Sequence, residues 1–64
     1  MNTFYHFEGR IYEKIENVEK ATENYRNKNY DEIKTEKSFD EFENAYERLR
    51  AEGNSIMDSI DFAI

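Results

Sequence analysis

The sequence lacks cysteine and proline, and it contains one histidine, His6. Without cysteine, neither a disulfide nor a cysteine-ligated zinc site can form. The two glycines, Gly9 and Gly53, are isolated, which excludes a glycine-rich phosphate-binding loop. No apolar run approaches the roughly 18 residues of a membrane span, and the first residues lack the basic segment of a signal peptide. We therefore expect a cytoplasmic protein that does not contact a membrane.

The chain is short, and its large apolar side chains are mostly aromatic. It has 64 residues, of which 38% are charged and 16% aromatic, with five phenylalanines and five tyrosines. A chain of this size buries only about 60% of its unfolded surface, so these rings must supply most of the core. We predict a single small acidic domain over residues 1–64. A second copy would add burial, so a homodimer is a reasonable alternative to a monomer.

The negative charge is concentrated in the second half of the chain. The formal net charge is −6, and residues 38–64 carry seven acids against two bases, whereas residues 1–37 are close to neutral. This field disfavours direct binding of nucleic acid or of an anionic membrane. It favours a protein partner with a basic surface, although the charge also has a simpler role in keeping a small domain soluble.

Residues 3–13 are compatible with two structures. Phe4–Phe7 and 10–13 are short β-prone runs joined by Glu8-Gly9, which is a two-residue hairpin connection. A helical stripe also runs through this segment and beyond it: Phe4, Phe7, Ile11, Ile15, Val18, Thr22 and Tyr25. We favour the hairpin because of the β propensity and the glycine.

A helix is expected next, over 16–27, under either interpretation. Its apolar face would comprise Val18, Ala21, Thr22 and Tyr25. Asn17 is the candidate N-cap, and the turn-prone residues 27–29 would end the helix. Residues 30–37 are polar and irregular, so we expect a connection there, at most with one helical turn.

The clearest element is a helix over 38–51. Ser38 and Glu41 form the S-x-x-E pattern of a capping box, and Gly53 is placed to end the helix as its C′ residue. The apolar face comprises Phe39, Phe42, Ala45, Tyr46 and Leu49. Asn54 or Ser55 would cap a last short helix. In it Ile56, Ile60 and Ala63 align, and Met57 and Ile64 lie alongside. We expect the end 62–64 to close the core, and the alternative is a linear motif that a carboxylate-binding groove reads.

These elements predict an α+β fold in which an N-terminal β-hairpin packs on two or three helices. The alternative is an all-α helical hairpin or three-helix bundle, which the continuous stripe of residues 4–25 would allow.

No catalytic, metal or cofactor site is expected. His6 is the only histidine and lies in an aromatic run, and Ser38 is explained as a helix cap rather than a nucleophile. Asp58 and Asp61, with Glu52 nearby, lack the pattern of a calcium loop. Residues 26–28 are the densest basic spot, but the overall field opposes nucleic-acid binding there. We expect a protein that is not an enzyme.

The helix over 38–51 carries a ridge of acidic residues that lack basic partners at favourable spacing, apart from Glu47, which lies near Arg48 and Arg50. A helix selected only for stability would intersperse lysines. Rows of carboxylates at this pitch can imitate the phosphates of a duplex. The tyrosines are further candidates, because exposed tyrosines often anchor interfaces. The predicted partner-binding residues are Asp40, Glu43, Glu47, Glu36 and Tyr30.

The sequence therefore favours a non-catalytic inhibitor or adaptor that presses an acidic helix against a basic cleft of a nucleic-acid-handling protein. Small acidic chains without cysteine are common among host-takeover and anti-defence proteins of bacterial viruses, and this analogy suggests a nucleic-acid mimic. The second hypothesis is a structural or homo-oligomerisation module. In it Phe39, Phe42, Tyr46 and the aromatic N-terminal run would form the interface, and the charge would serve solubility alone.

Overall fold

Three strands and three helices make up the part of the chain that the computed structural model describes, residues 1–22 and 30–64. In chain order they are β1 (Asn2–Phe7), β2 (Arg10–Tyr12), α1 (Ile15–Thr22), β3 (Asp31–Thr35), α2 (Phe39–Ala51) and α3 (Ile56–Ala63). The strands form one antiparallel sheet in the order β2-β1-β3. The predicted α+β class is confirmed, and the all-α alternative is wrong. The predictions for Tyr25, for residues 26–28 and for a helix end at 27–29 lie outside the described residues.

The chain divides into two compact units. One is Thr3–Ile33, and the other consists of Met1–Asn2 with Lys34–Ile64. Helix α1 contacts β2 in the first unit, and α2 contacts α3 in the second.

The N-terminal hairpin is confirmed. Tyr5 pairs with Tyr12, His6 with Ile11 and Phe7 with Arg10. The connecting residues Glu8 and Gly9 have φ values of 50° and 82°. Positive φ at both central residues is the signature of a type I′ turn, whose twist matches that of the flanking strands. Only Gly9 adopts this conformation without steric cost, so the glycine fixes the position of the turn.

In the unit Thr3–Ile33, the buried apolar side chains come from every regular element: Phe4, Ile11, Val18 and Ile33. Helix α1 begins earlier than predicted, because the amides of Asn17 and Val18 both donate to the carbonyl of Lys14. Asn17 therefore lies inside the first turn, and its prediction as N-cap is wrong. Ala21 was predicted on the apolar face of α1, but it is exposed, so the buried face of this helix is narrower than predicted.

The segment after Tyr30 was predicted as an irregular connection, and this is wrong, because Asp31–Thr35 forms strand β3. Ile33 and Thr35 are buried, whereas Asp31, Glu32 and Lys34 are exposed. Two β-branched residues at period two are the sequence signal of a strand with one buried face. The signal is short, and the three charged residues between and before them obscure it.

Helix α2 has the ends that its sequence predicts. The Ser38 side chain accepts from the Glu41 amide at 3.3 Å, and the Ser38 hydroxyl donates to the Glu41 carboxylate at 3.1 Å. Glu41 thus closes the capping box through the serine hydroxyl rather than through the Ser38 amide. At the other end, the amides of Gly53 and Asn54 donate to the carbonyls of Arg50 and Leu49. This is a Schellman motif, with Gly53 at φ 98°.

Helix α3 begins at the predicted cap, since the Ser55 side chain accepts from the Asp58 amide at 3.2 Å. Ile60 and Ala63 are buried as predicted. The prediction that residues 62–64 close the core is wrong for Phe62 and Ile64, which are exposed, and Met57 is exposed as well. One helix of eight residues cannot bury both of its faces against one neighbour.

Candidate functional site

The outward face of α2 carries the predicted acidic ridge, which we define as Asp40, Glu43 and Glu47. Asp40 and Glu47 are exposed, whereas Phe42 and Tyr46 on the inward face are buried. A residue seven positions further along a helix lies nearly above the first, two turns away. The carboxylates of Asp40 and Glu47 therefore point to the same side of the molecule's second unit, on a rigid element.

Two members of the ridge, Asp40 and Glu47, have no basic partner in the described part of the chain, since no lysine or arginine there lies within salt-bridge distance of their carboxylates. Arg50, three residues after Glu47, donates to the carbonyl of Asn54 at 2.7 Å. Glu43 differs, because it is half-buried and engaged in an interaction of its own. Asp40 and Glu47 are thus the strongest members of the ridge.

Helix stability accounts for one of these two charges but not for the other. Asp40 lies in the first turn of α2, where a negative charge interacts favourably with the helix dipole. Glu47 lies just before the last turn and four residues after Glu43, a spacing at which like charges repel by about 0.2–0.5 kcal/mol. The helix dipole therefore favours Asp40, whereas Glu47 has both an unfavourable neighbour, Glu43, and a favourable one, Arg50, three residues further on.

The two remaining predicted residues lie off the helix. Glu36 is exposed and lies two residues before the Ser38 cap, in the same unit as α2. Tyr30 belongs to the unit Thr3–Ile33, where its ring packs edge-on against Tyr5 with centroids 5.5 Å apart. Tyr30 is half-buried in this contact. The structure therefore groups Glu36 with the ridge by chain position, and it gives Tyr30 a role within the other unit.

None of the other described tyrosines is fully exposed. Tyr12 is half-buried beneath the guanidinium of Arg10, which lies 5.7 Å from its ring centroid. Tyr46 lies on the inward face of α2 and is buried. This burial raises the pKa of its phenol, and the positive charge of Arg50 opposes the effect in part. The expectation that surplus tyrosines form an exposed interface therefore has little support in the described residues.

His6 is engaged at both ring nitrogens. Its Nδ1 lies 3.0 Å from Oδ2 of Asp31, and its Nε2 accepts from the amide of Gly9 at 2.8 Å. A general base needs a free nitrogen within reach of the proton that it abstracts. The ring is also almost fully buried. His6 therefore acts as a structural link between the hairpin turn and β3.

The described residues, 1–22 and 30–64, contain no group of three or more acidic or histidine side chains placed to hold a metal ion. None of their helices has the length and apolar character needed to cross a membrane.

The outward face of α3 is an exposed surface that was predicted only in part. Met57, Phe62 and Ile64 were expected near the core, with residues 62–64 as an alternative recognition motif, and all three are exposed. The available signal was the pair Asp58 and Asp61, because each of the three apolar residues lies three or four positions from one of these carboxylates and so shares its side of the helix.

Comparison of the chain with protein-family models, with curated protein sequences and with solved structures found no match.

Proposed function

We propose that this chain is a non-catalytic binding protein, an inhibitor or adaptor, that acts in the cytoplasm. Its acidic ridge engages a basic cleft of a nucleic-acid-handling protein. The observation that supports this proposal is the pair of exposed carboxylates, Asp40 and Glu47, that have no basic partner among the described residues. Glu43 on the flank of the ridge and Glu36 before the helix extend the same negative surface.

The spacing of the ridge suits a site that normally holds phosphates. The two exposed carboxylates of the ridge, Asp40 and Glu47, are seven residues apart, which is about 10.5 Å along the helix axis. Phosphates of one DNA strand follow one another at about 3.4 Å along the duplex axis. The exposed pair therefore offers one charge for about every three phosphate steps. A basic cleft would bind it through the same arginines and lysines that bind nucleic acid.

Binding, rather than catalysis, fits the side chains available. The only histidine has both nitrogens occupied, and the chain has no cysteine. The negative field of residues 38–64 would repel nucleic acid itself, so the partner is a protein. By analogy with small acidic proteins of bacterial viruses, such a nucleic-acid mimic would serve host takeover or the blocking of a defence system.

The test is capture of the partner by the whole chain and by a variant with Asp40→Lys and Glu47→Lys. The matched control carries Glu13→Lys and Glu16→Lys, which makes the same change in net charge at two exposed positions of the other unit. We expect the ridge variant to lose the partner and the control to keep it. The captured protein should bind nucleic acid, and a DNA or RNA duplex should displace the chain from it.

Two results would refute the proposal: equal capture by the ridge variant, or a captured protein that a duplex does not displace. The oligomerisation hypothesis has less support, since Phe42 and Tyr46 are buried within the chain and offer no surface to a second copy. A mass of one chain at micromolar concentration would exclude it.

A further inference from the structure

The outward face of α3 exposes large apolar side chains next to acidic ones. The exposed fractions are 53% for Met57, 64% for Phe62 and 48% for Ile64. The inward face is buried at Ser59, Ile60 and Ala63, where α3 contacts α2. Exposed apolar residues of this size are common one at a time, but three on eight consecutive residues form a surface that marks an interaction site.

The helical periodicity arranges these side chains into two adjacent rows. Met57, Asp61 and Ile64 follow one another at four and three residues, and Asp58 and Phe62 form the neighbouring row at four residues. Each carboxylate therefore lies beside apolar side chains, within reach of the same bound segment. A partner that buries Met57 and Phe62 must also meet Asp58 and Asp61.

The charged side chains on α3 itself are all acidic, because the helix contains no basic residue. Two cations of the same unit lie at its ends: Lys37 Nζ donates to the carbonyl of Ala63 at 2.6 Å, and Arg50 donates to the carbonyl of Asn54 at 2.7 Å. Asp58 and Asp61 therefore set the electrostatic preference along the middle of the helix, between these two cations. A second copy of this chain would bring like charges together, which disfavours self-association here.

We propose that the outward face of α3 docks a basic amphipathic helix of a protein partner. Apolar side chains of that helix would cover Met57, Phe62 and Ile64, and its lysines or arginines would pair with Asp58 and Asp61. Recognition through apolar residues at helical spacing, flanked by complementary charge, is a common mode of helix binding. This surface is separate from the acidic ridge of α2, so the inference does not depend on the function proposed for the ridge.

The experiment is an NMR titration of the ¹⁵N-labelled whole chain with a synthetic helical peptide of leucine and lysine in amphipathic order. We expect the amide shifts to concentrate in residues 56–64. A variant with Met57→Ser and Phe62→Ser should bind the peptide about tenfold more weakly or worse, since both apolar anchors are lost. Both side chains are exposed, so the variant should retain the spectrum of the folded chain.

Three controls separate this surface from general charge attraction. A peptide of the same composition in shuffled order should bind at least about tenfold more weakly. Ile15→Ser removes an exposed apolar side chain from the other unit and should leave the affinity unchanged. Glu13→Gln with Glu16→Gln removes two exposed carboxylates from the other unit and should weaken binding by less than about twofold in about 0.15 M salt, where distant charges are screened. Absence of binding, shifts confined to α2, or equal affinity after Met57→Ser and Phe62→Ser would overturn the inference.

Discussion

His6 and Asp31 join β1 to β3 through a hydrogen bond of 3.0 Å between Nδ1 and Oδ2. The other ring nitrogen accepts from the Gly9 amide, so in the neutral ring the proton must lie on Nδ1. One buried imidazole thus holds the tip of the hairpin and a neighbouring strand at once. Because both nitrogens are used, this histidine contributes to the fold and has no free position for a substrate.

The two partners of this bond should differ in their effect on stability. His6→Ala removes both hydrogen bonds of the buried ring, to Asp31 and from the Gly9 amide, which should lower the free energy of unfolding by about 2–3 kcal/mol. Asp31→Asn should cost about 1 kcal/mol or less, because the Asp31 side chain is mostly exposed. Urea unfolding of the two variants measures both values. Equal losses of stability would show that the bond to Asp31 accounts for the whole effect and that the bond from the Gly9 amide contributes nothing.

Local signals predicted most of the fold because each acts within a few residues. Ser38 accepts from a backbone amide at the start of α2, and the two glycines adopt the positive φ that the hairpin turn and the end of α2 require. All three signals lie where they were predicted. Strand β3 was not predicted, because only Ile33 and Thr35 mark it and its hydrogen bonds come from β1, far away in the chain. Its formation depends on a partner that periodicity cannot show.

The candidate site was predictable in part for the same reason. The exposure of Asp40 and Glu47 follows from the helical period of α2, which Phe42 and Tyr46 determine. The engagement of Glu43 and the packing of Tyr30 on Tyr5 depend on tertiary contacts. On α3 the apolar residues outnumber what one face can bury, so Ile60 and Ala63 are buried as predicted, whereas Met57, which was expected alongside them, is exposed.

Ser59 allows a test of how much an unsatisfied buried hydroxyl costs in stability. Its side chain is fully buried, and its hydroxyl has no hydrogen-bond partner in the described part of the chain. Ser59→Ala removes this unsatisfied group and should raise the free energy of unfolding by about 1 kcal/mol. Ser55→Ala, on the same helix, removes an N-cap and should lower it by about 1 kcal/mol. Thermal and urea unfolding should therefore show opposite signs, and a loss of stability in Ser59→Ala would contradict the assignment.

Tyr46 should make the fold sensitive to alkaline pH. Burial raises the pKa of its phenol above the ordinary value of 10.0, and the nearby Arg50 guanidinium offsets part of this effect. Below pH 10 the phenol is protonated in both the folded and the unfolded chain, so it adds no pH dependence. Above that pH the unfolded chain releases the proton first, and stability falls until the folded pKa is passed.

Tyr46→Phe should remove this part of the alkaline loss. The measurement is the free energy of unfolding of wild type and variant at a series of pH values from neutral to strongly alkaline. Tyr12→Phe is the matched control, because it removes a phenol that is only half-buried. If the slope with pH is the same in Tyr46→Phe and in wild type, ionisation of Tyr46 does not limit the alkaline stability.

Glu47 and Asp40 should respond in opposite ways to charge reversal. Glu47→Lys replaces a repulsion from Glu43 by an attraction at the same spacing, and it brings a positive charge near the last turn of α2. It should raise the free energy of unfolding by no more than about 0.5 kcal/mol, because the new lysine also lies three residues before Arg50, a spacing at which like charges repel. Asp40→Lys brings a positive charge into the first turn and should lower the free energy of unfolding by about 0.3–1 kcal/mol.

Chemical unfolding at low ionic strength measures the stability of both variants, since salt screens these interactions. A stabilised Glu47→Lys chain that no longer captures the partner would show that the ridge is kept for binding at a cost to the helix. A destabilised one would mean that Glu47 contributes to the fold, and its loss of binding would then no longer support the proposed function.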